Sequence, residues 1–183
     1  MSERICSNCK KAYSTSVRDR LAYPESGLDH VYLRNVTVEE CGCATQPVIP
    51  APKALHRYIA LALVTKPALL SGQEVRFLRL TLQRKAKTFA DEVSISPEQL
   101  SRVENGHEPV SESLDKLTRR AVVWQLSRAW NLDRYLDHDA YDRVMSGRLE
   151  RRQGAASIEC DWSARIAEHP ATAPCRLEFL PAA

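Results

Sequence analysis

The period of the apolar positions changes along this chain. Residues 30–38, His30-Val31-Tyr32-Leu33-Arg34-Asn35-Val36-Thr37-Val38, alternate and are rich in branched and aromatic side chains, which predicts a strand. Residues 13–17 are its expected partner, with Pro24-Glu25-Ser26-Gly27 in the turn-rich connection. Thr45-Gln46-Pro47-Val48-Ile49-Pro50-Ala51-Pro52 then reads as an extended, semi-rigid linker. Beyond it the period becomes helical. Residues 53–65 place Leu55, Ile59, Ala62 and Leu63 on one side, and Lys66-Pro67 ends the run.

The next stretches form a group of short helices. Ser71-Gly72-Gln73-Glu74 has the form of a capping box and opens a stripe of Val75, Leu78 and Leu82, with Phe77 and Leu80 nearby. Residues 86–93 offer Ala86, Phe89, Ala90 and Val93 to the same core. Ala90 is small enough to let two short helices cross closely. Ser96 is then an N-cap and Pro97 fits the first helical position. Leu100 and Val103 face inward, and Asn105-Gly106 ends the helix. Its outward face carries Glu98, Gln99, Ser101 and Arg102. Two helices joined by a tight turn, the second with a polar face, make a helix-turn-helix. In that motif the second helix enters the DNA major groove.

After Glu108-Pro109-Val110-Ser111, residues 112–126 form a mostly apolar helix with Leu114, Leu117, Ala121, Val122, Trp124 and Gln125, and Trp124 is expected in the core. A further helix should run from Asn131 to Met145 and end at Gly147. From Arg151 the pattern fades. Residues 151–156 look like a linker, Cys160, Trp162, Ile166 and Cys175 are scattered, and Leu177-Glu178-Phe179-Leu180 suits a short strand or docking peptide. Loose packing is the expectation for this tail.

Charge and cysteine content narrow the chemistry. The net charge is only +3, so nucleic-acid binding would have to come from local placement of charge. The start, Met1-Ser2-Glu3-Arg4, has no apolar leader, and no run approaches membrane-spanning length. A cytoplasmic protein is expected, in which the six cysteines serve as metal ligands or buried thiols rather than disulfides. Cys6-Ser7-Asn8-Cys9 is a C-x-x-C hook, and Cys41-Gly42-Cys43 closes the same region. Cys6, Cys9, Cys41 and Cys43 together can bind one structural Zn²⁺ tetrahedrally, with His30 as an alternative ligand. A full four-sulfur shell leaves no open position for catalysis. The histidines stand apart from nucleophile motifs and no phosphate loop is present, so no enzymatic activity is expected.

Arg79, Phe89-Ala90, Ile95-Ser96 and Leu100-Ser101-Arg102-Val103-Glu104-Asn105-Gly106 resemble the XRE (lambda-repressor-like) helix-turn-helix. The usual turn glycine of that family is Ser94 here, and the usual glutamine opening the second helix is Ala86, flanked by Lys85 and Lys87. The resemblance implies a bridge between Arg79 and Glu104. With the four-cysteine module and the linker helix, residues 1–128 resemble the MqsA (YgiT-type zinc finger) antitoxin family. That resemblance implies a homodimer on a palindromic operator of double-stranded DNA, and an N-terminal module able to bind a cognate toxin. It puts the base readers at Glu98 and Arg102. The C-x-C second hook and the long C-terminal extension depart from the family.

The expected fold is mainly α, with a small β zinc-binding N-terminal module and a C-terminal five-helix-type helix-turn-helix domain. Its parts are the zinc module at 1–46, linker and helix at 47–70, the helix-turn-helix domain at 71–130, an extra helix at 131–150 and a loosely structured extension at 151–183. Arg102 can donate two parallel hydrogen bonds to guanine, and Glu98 can accept from cytosine N4. Gln99 and Ser101 lie beside them, and Lys85, Lys87, Arg84 and Arg76 are candidate phosphate contacts. The expected function is a DNA-binding transcriptional regulator, an autorepressor of the antitoxin type. The alternative is an adaptor whose two modules bind proteins, favoured by the near-neutral charge and the acidic Glu98.

Overall fold

A computed structural model of the chain describes residues 5–147, 156–162 and 174–179. Of the linker expected at 151–156, residues 151–155 lie outside the described residues, as do Ile166 and Leu180, and Ala156 opens a strand instead. The elements run β1 (Ser14–Ala22), β2 (Val31–Glu40), β3 (Thr45–Pro47), α1 (Pro52–Val64), α2 (Gly72–Thr81), α3 (Ala86–Glu92), α4 (Pro97–Glu104), α5 (Glu112–Gln125), α6 (His138–Ser146), β4 (Ala156–Asp161) and β5 (Cys175–Phe179).

The fold is not mainly α with a small β module. Five strands form one mixed sheet in the order β1-β2-β4-β5, with β3 also on β2. β1 and β2 are antiparallel, from Ser14 opposite Glu40 to Ala22 opposite Tyr32. β4 adds parallel to β2, with Val31 opposite Ile158, and β5 closes antiparallel on β4. Two of the five strands therefore come from the segment that reads as a loose extension. Cys160 and Cys175 face each other across β4 and β5 and form a disulfide. These two cysteines are neither ligands nor free thiols, contrary to the expectation for a reducing compartment. The indole N–H of the fully buried Trp162 donates to Pro50 O at 2.7 Å, which ties the tail to the segment before α1.

α1 occupies the centre. Leu55 and every residue from Tyr58 to Val64 are buried, so the helix is covered nearly all round. It contacts β4 and β5 on one side and α2 and α5 on the other. Val31, Leu33, Val36 and Val38 of β2 belong to the same core as Leu78, Phe89, Leu100 and Val122 of the helices. The sheet thus leans on the main core and does not depend on a metal for one.

The buried charged groups in this core are paired, whereas the Thr118 hydroxyl on α5 has no hydrogen-bond partner among the described residues. Asp115 and Arg119, one turn apart on α5, are fully buried, with Nε to Oδ2 at 2.7 Å. The Arg119 guanidinium also donates to the carbonyls of Leu63, Val64, Lys66 and Ala68, at 2.7–3.1 Å. Asp115 accepts the N–H of Leu70 at 2.7 Å. This pair satisfies the end of α1, whose last carbonyls have no partner within the helix. Glu74 at the start of α2 is equally buried. It takes Lys66 at 2.8 Å, His30 at 3.1 Å and the Ser71 N–H at 2.6 Å. His30 therefore joins the sheet to the helices and is not a partner of the cysteines.

Two helical readings need correction. Trp124 is 53% exposed, not core, because α5 buries the face bearing Leu114, Thr118 and Val122 instead. The helix expected from Asn131 begins only at His138. Asn131 takes a left-handed conformation at φ 53°, which ends the preceding π-helical turn, and a short 3₁₀ turn at Asp133–Tyr135 intervenes.

Candidate functional site

Two groups of side chains carry chemistry, and the fold holds each by a different device. The first lies at one end of the sheet. Pairing of Ser14 with Glu40 places the segment before β1 beside the segment after β2. That register brings the hook at Cys6 and Cys9 to the hook at Cys41 and Cys43, and all four Sγ atoms lie within 4.8 Å of one another. The first hook is a tight turn, with Lys10 N–H donating to Cys6 O, Cys6 N–H donating to Lys11 O, and Lys10 left-handed at φ 58°. The second is closed by Cys41 N–H on Ala44 O at 2.9 Å.

This arrangement is positioned to bind a metal ion. The sulfurs of Cys6 and Cys43 are 3.7 Å apart and those of Cys41 and Cys43 3.3 Å. Four thiolates about 2.3 Å from one tetrahedral ion would sit about 3.8 Å apart, so the donor set fits without large movement. The local fields are uneven. The Cys9 N–H, then the Tyr13 hydroxyl and the Asn8 N–H, lower the Cys6 thiol to about 6. Cys9 is lowered mainly by the Lys11 N–H. Hydrogen bonding to Cys41, then Cys9 and Cys6, pushes Cys43 up to about 12. Cys6 and Cys9 thus favour the thiolate, while Cys43 resists ionisation unless a cation joins the cluster. Lys11 lies against Gly42, where an added Cβ would come within 3.0 Å of its Cδ and Nζ. Its ammonium group therefore stands beside the second hook, a contact that C-x-x-C spacing does not reveal.

The second group is on α4. Ser96 accepts the Gln99 N–H at 3.1 Å and Pro97 opens the helix. Leu100 and Val103 are buried against α2 and α3, with the small Ala90 fully buried. Ser94 takes the left-handed conformation, φ 58°, at the position where a glycine would be free of strain. From the other side, Arg79 of α2 grips Glu104 of α4 with Nε to Oε1 at 2.6 Å and Nη2 to Oε2 at 2.7 Å. Gly72 lies so close to α4 that an added Cβ would sit 2.0 Å from Val103 O. A helix of eight residues is thereby fixed at both ends.

Glu98, Gln99, Ser101 and Arg102 are all exposed on this helix. Lys85 immediately precedes α3 without a side-chain capping bond, Lys87 lies in its first turn, and both are exposed. Arg76 is exposed on α2, whereas Arg84 is tied to Glu92 at 2.9 Å. The acid beside Arg102 is not Glu98. It is Glu108, in the loop after α4, whose Oε2 lies 3.6 Å from Arg102 Nε and whose Oε1 accepts from Gln99 Nε2 at 3.0 Å. Glu108 sits outside any apolar period, so pattern reading passes over it.

No family model, curated protein or solved structure matches this chain. Among the described residues, no helix is long and apolar enough to cross a membrane.

Proposed function

We propose that this chain is a sequence-specific DNA-binding transcriptional regulator, acting as a homodimer on a palindromic operator, with a structural zinc ion in its four-cysteine site. The observation that carries the reading is α4 itself. It is a short helix with a wholly polar exposed face, held rigidly by a buried Arg79–Glu104 pair and a tight turn at Ser94. Such a helix has no reason in packing to present Glu98, Gln99, Ser101 and Arg102 together. Arg102 would read guanine in the major groove, and Lys85, Lys87 and Arg76 would hold phosphates. Zn²⁺ suits four thiolates and supplies a cross-link between the two hooks, with no open position for chemistry. One helix-turn-helix reads few base pairs, so a second copy is needed for specificity. The exposed Leu117 and Trp124 on α5, with the half-buried Ala121 between them, form a surface on which such a copy can pack. The antitoxin form of the reading, with a toxin held by the sheet and its hooks, rests on resemblance to the MqsA family.

A second reading has one observation in its favour. Two carboxylates, Glu98 and Glu108, stand on the same face as Arg102, which suits a basic protein partner. A gel shift on the region upstream of the coding sequence, at two salt concentrations and with Arg102→Ala alongside, separates the two. The DNA reading expects a specific, salt-sensitive shift, and Arg102→Ala should weaken cognate binding about tenfold or more while changing random binding far less. Equal losses on both DNAs would make Arg102 a phosphate contact. No shift on any duplex would favour the protein partner.

A further inference from the structure

We propose that Glu108 is a positioning residue for recognition, holding Gln99 and Arg102 in their reading orientation before DNA arrives and raising specificity at the expense of affinity. This inference rests on the DNA-binding reading above. The backbone of Glu108 has little freedom. Its N–H and that of His107 both donate to Arg102 O, at 3.2 and 2.8 Å, so the loop folds back onto the last turn of α4. Pro109 follows it and disfavours helical backbone at Glu108. The next residue, Val110, is buried and anchors the chain. From this fixed base the half-buried side chain reaches back across α4.

Each carboxylate oxygen then serves one reader. Oε1 accepts from Gln99 Nε2 and Oε2 faces Arg102 Nε. Gln99 and Arg102 are three residues apart on α4 and so neighbours on its surface. With Nε turned toward Glu108, the two terminal nitrogens of Arg102 remain for guanine O6 and N7. With its Nε2 engaged, the Gln99 amide presents Oε1 outward as an acceptor. A long arginine tethered in advance loses less freedom on binding. The same carboxylate is a fixed negative charge at a surface that meets phosphates, so it opposes every DNA equally. The cost falls on all sequences, whereas the ordering of the readers helps only a duplex with matching base edges. That difference is what makes a specificity device.

The test uses the 183-residue chain loaded with zinc. A cognate duplex is selected by the wild type from a randomised pool, and a scrambled duplex of the same composition serves as reference. Glu108→Gln should bind the scrambled duplex more tightly, and its cognate-to-scrambled ratio should fall about fivefold. In an Arg102→Ala background the same substitution should leave the ratio within about twofold. In the free protein, ¹⁵N relaxation of Arg102 Nε should report a more mobile guanidinium in Glu108→Gln, with an unchanged thermal midpoint. A ratio that does not move, because both affinities rise together, would make Glu108 a phosphate-repelling charge only and overturn the proposal. An Arg102 side chain equally mobile in both proteins would overturn it without reference to DNA. A wild type that selects no duplex would remove the DNA-binding reading and this inference with it. A wild type that selects one while Glu108→Gln keeps its ratio removes this inference alone.

Discussion

Arg119 does at one residue what a capping sequence would otherwise have to do. At the end of α1 the Thr65 hydroxyl donates to Ala62 O, but the Leu63 and Val64 carbonyls turn toward the interior, where the Arg119 guanidinium meets them. The guanidinium supplies donors there, and Asp115 neutralises it. Removing one partner of such a pair leaves an uncompensated buried charge. Arg119→Met is therefore expected to destabilise the fold by about 3–5 kcal/mol, measured as a lower urea midpoint with an unchanged slope. A loss below about 1 kcal/mol would show that water reaches the site. The signal for this pair in the chain is faint. Asp and Arg four residues apart read as a solvated helix pair, and nothing local says that they point inward.

At the scale of elements, β2 separates the two candidate sites. Its ten residues span about 33 Å. The cysteine hooks lie at its C-terminal end, while His30, just before its start, meets Glu74 of α2. Val31, Leu33, Val36 and Val38 are all buried in the main core, so a metal held by the hooks would support only the segments flanking this end of the sheet. If the hooks hold an ion, its chelation should release amide protection over residues 5–15 and 38–47 and leave the protection of α2 to α5 unchanged, in hydrogen exchange. Loss of protection throughout would mean that the metal supports the whole core.

Across the whole molecule, two links can be switched off in solution: the Glu74 cluster, which joins His30 before β2 to α2, and the Cys160–Cys175 disulfide, which joins β4 to β5. Burial alone would raise the Glu74 carboxyl. The hydrogen bond from His30, the charge and hydrogen bond of Lys66, and the Ser71 N–H outweigh it and hold the group at about 2, against an ordinary 4.5. The folded state therefore favours the charged form. Its contribution is complete above about pH 4.5 and fades as pH falls toward 2. A shift of this size corresponds to roughly 3 kcal/mol. Urea midpoints should drop steeply over that range, and Glu74→Gln should flatten the drop. The Cys160–Cys175 disulfide closes a loop of 15 residues, worth about 3 kcal/mol. Treatment with a thiol reductant should lower stability by about that amount and expose β5 to proteolysis before α5. Equal stability in both redox states would show that packing on α1 alone retains the tail.

Local chemistry was decided by the sequence. The capping box at Ser71 and Glu74, the stretch from Ser96 to Gly106, and the two cysteine hooks follow from residues within a few positions of one another, and such signals act on the backbone directly. The strand at 30–38 was legible for the same reason, as period-two alternation. What only the tertiary structure decided are the partners. β4 joins β2 in parallel across more than a hundred residues, Cys160 meets Cys175, Arg119 turns to the end of α1, and Trp124 is left at the surface. In each case the local pattern allows several partners, and the choice among them belongs to the core as a whole. β4 does alternate, as Ala156-Ser157-Ile158-Glu159-Cys160-Asp161, but six residues do not say which strand they join, and the inward face of α5 is set by what α1 and α2 leave to be filled.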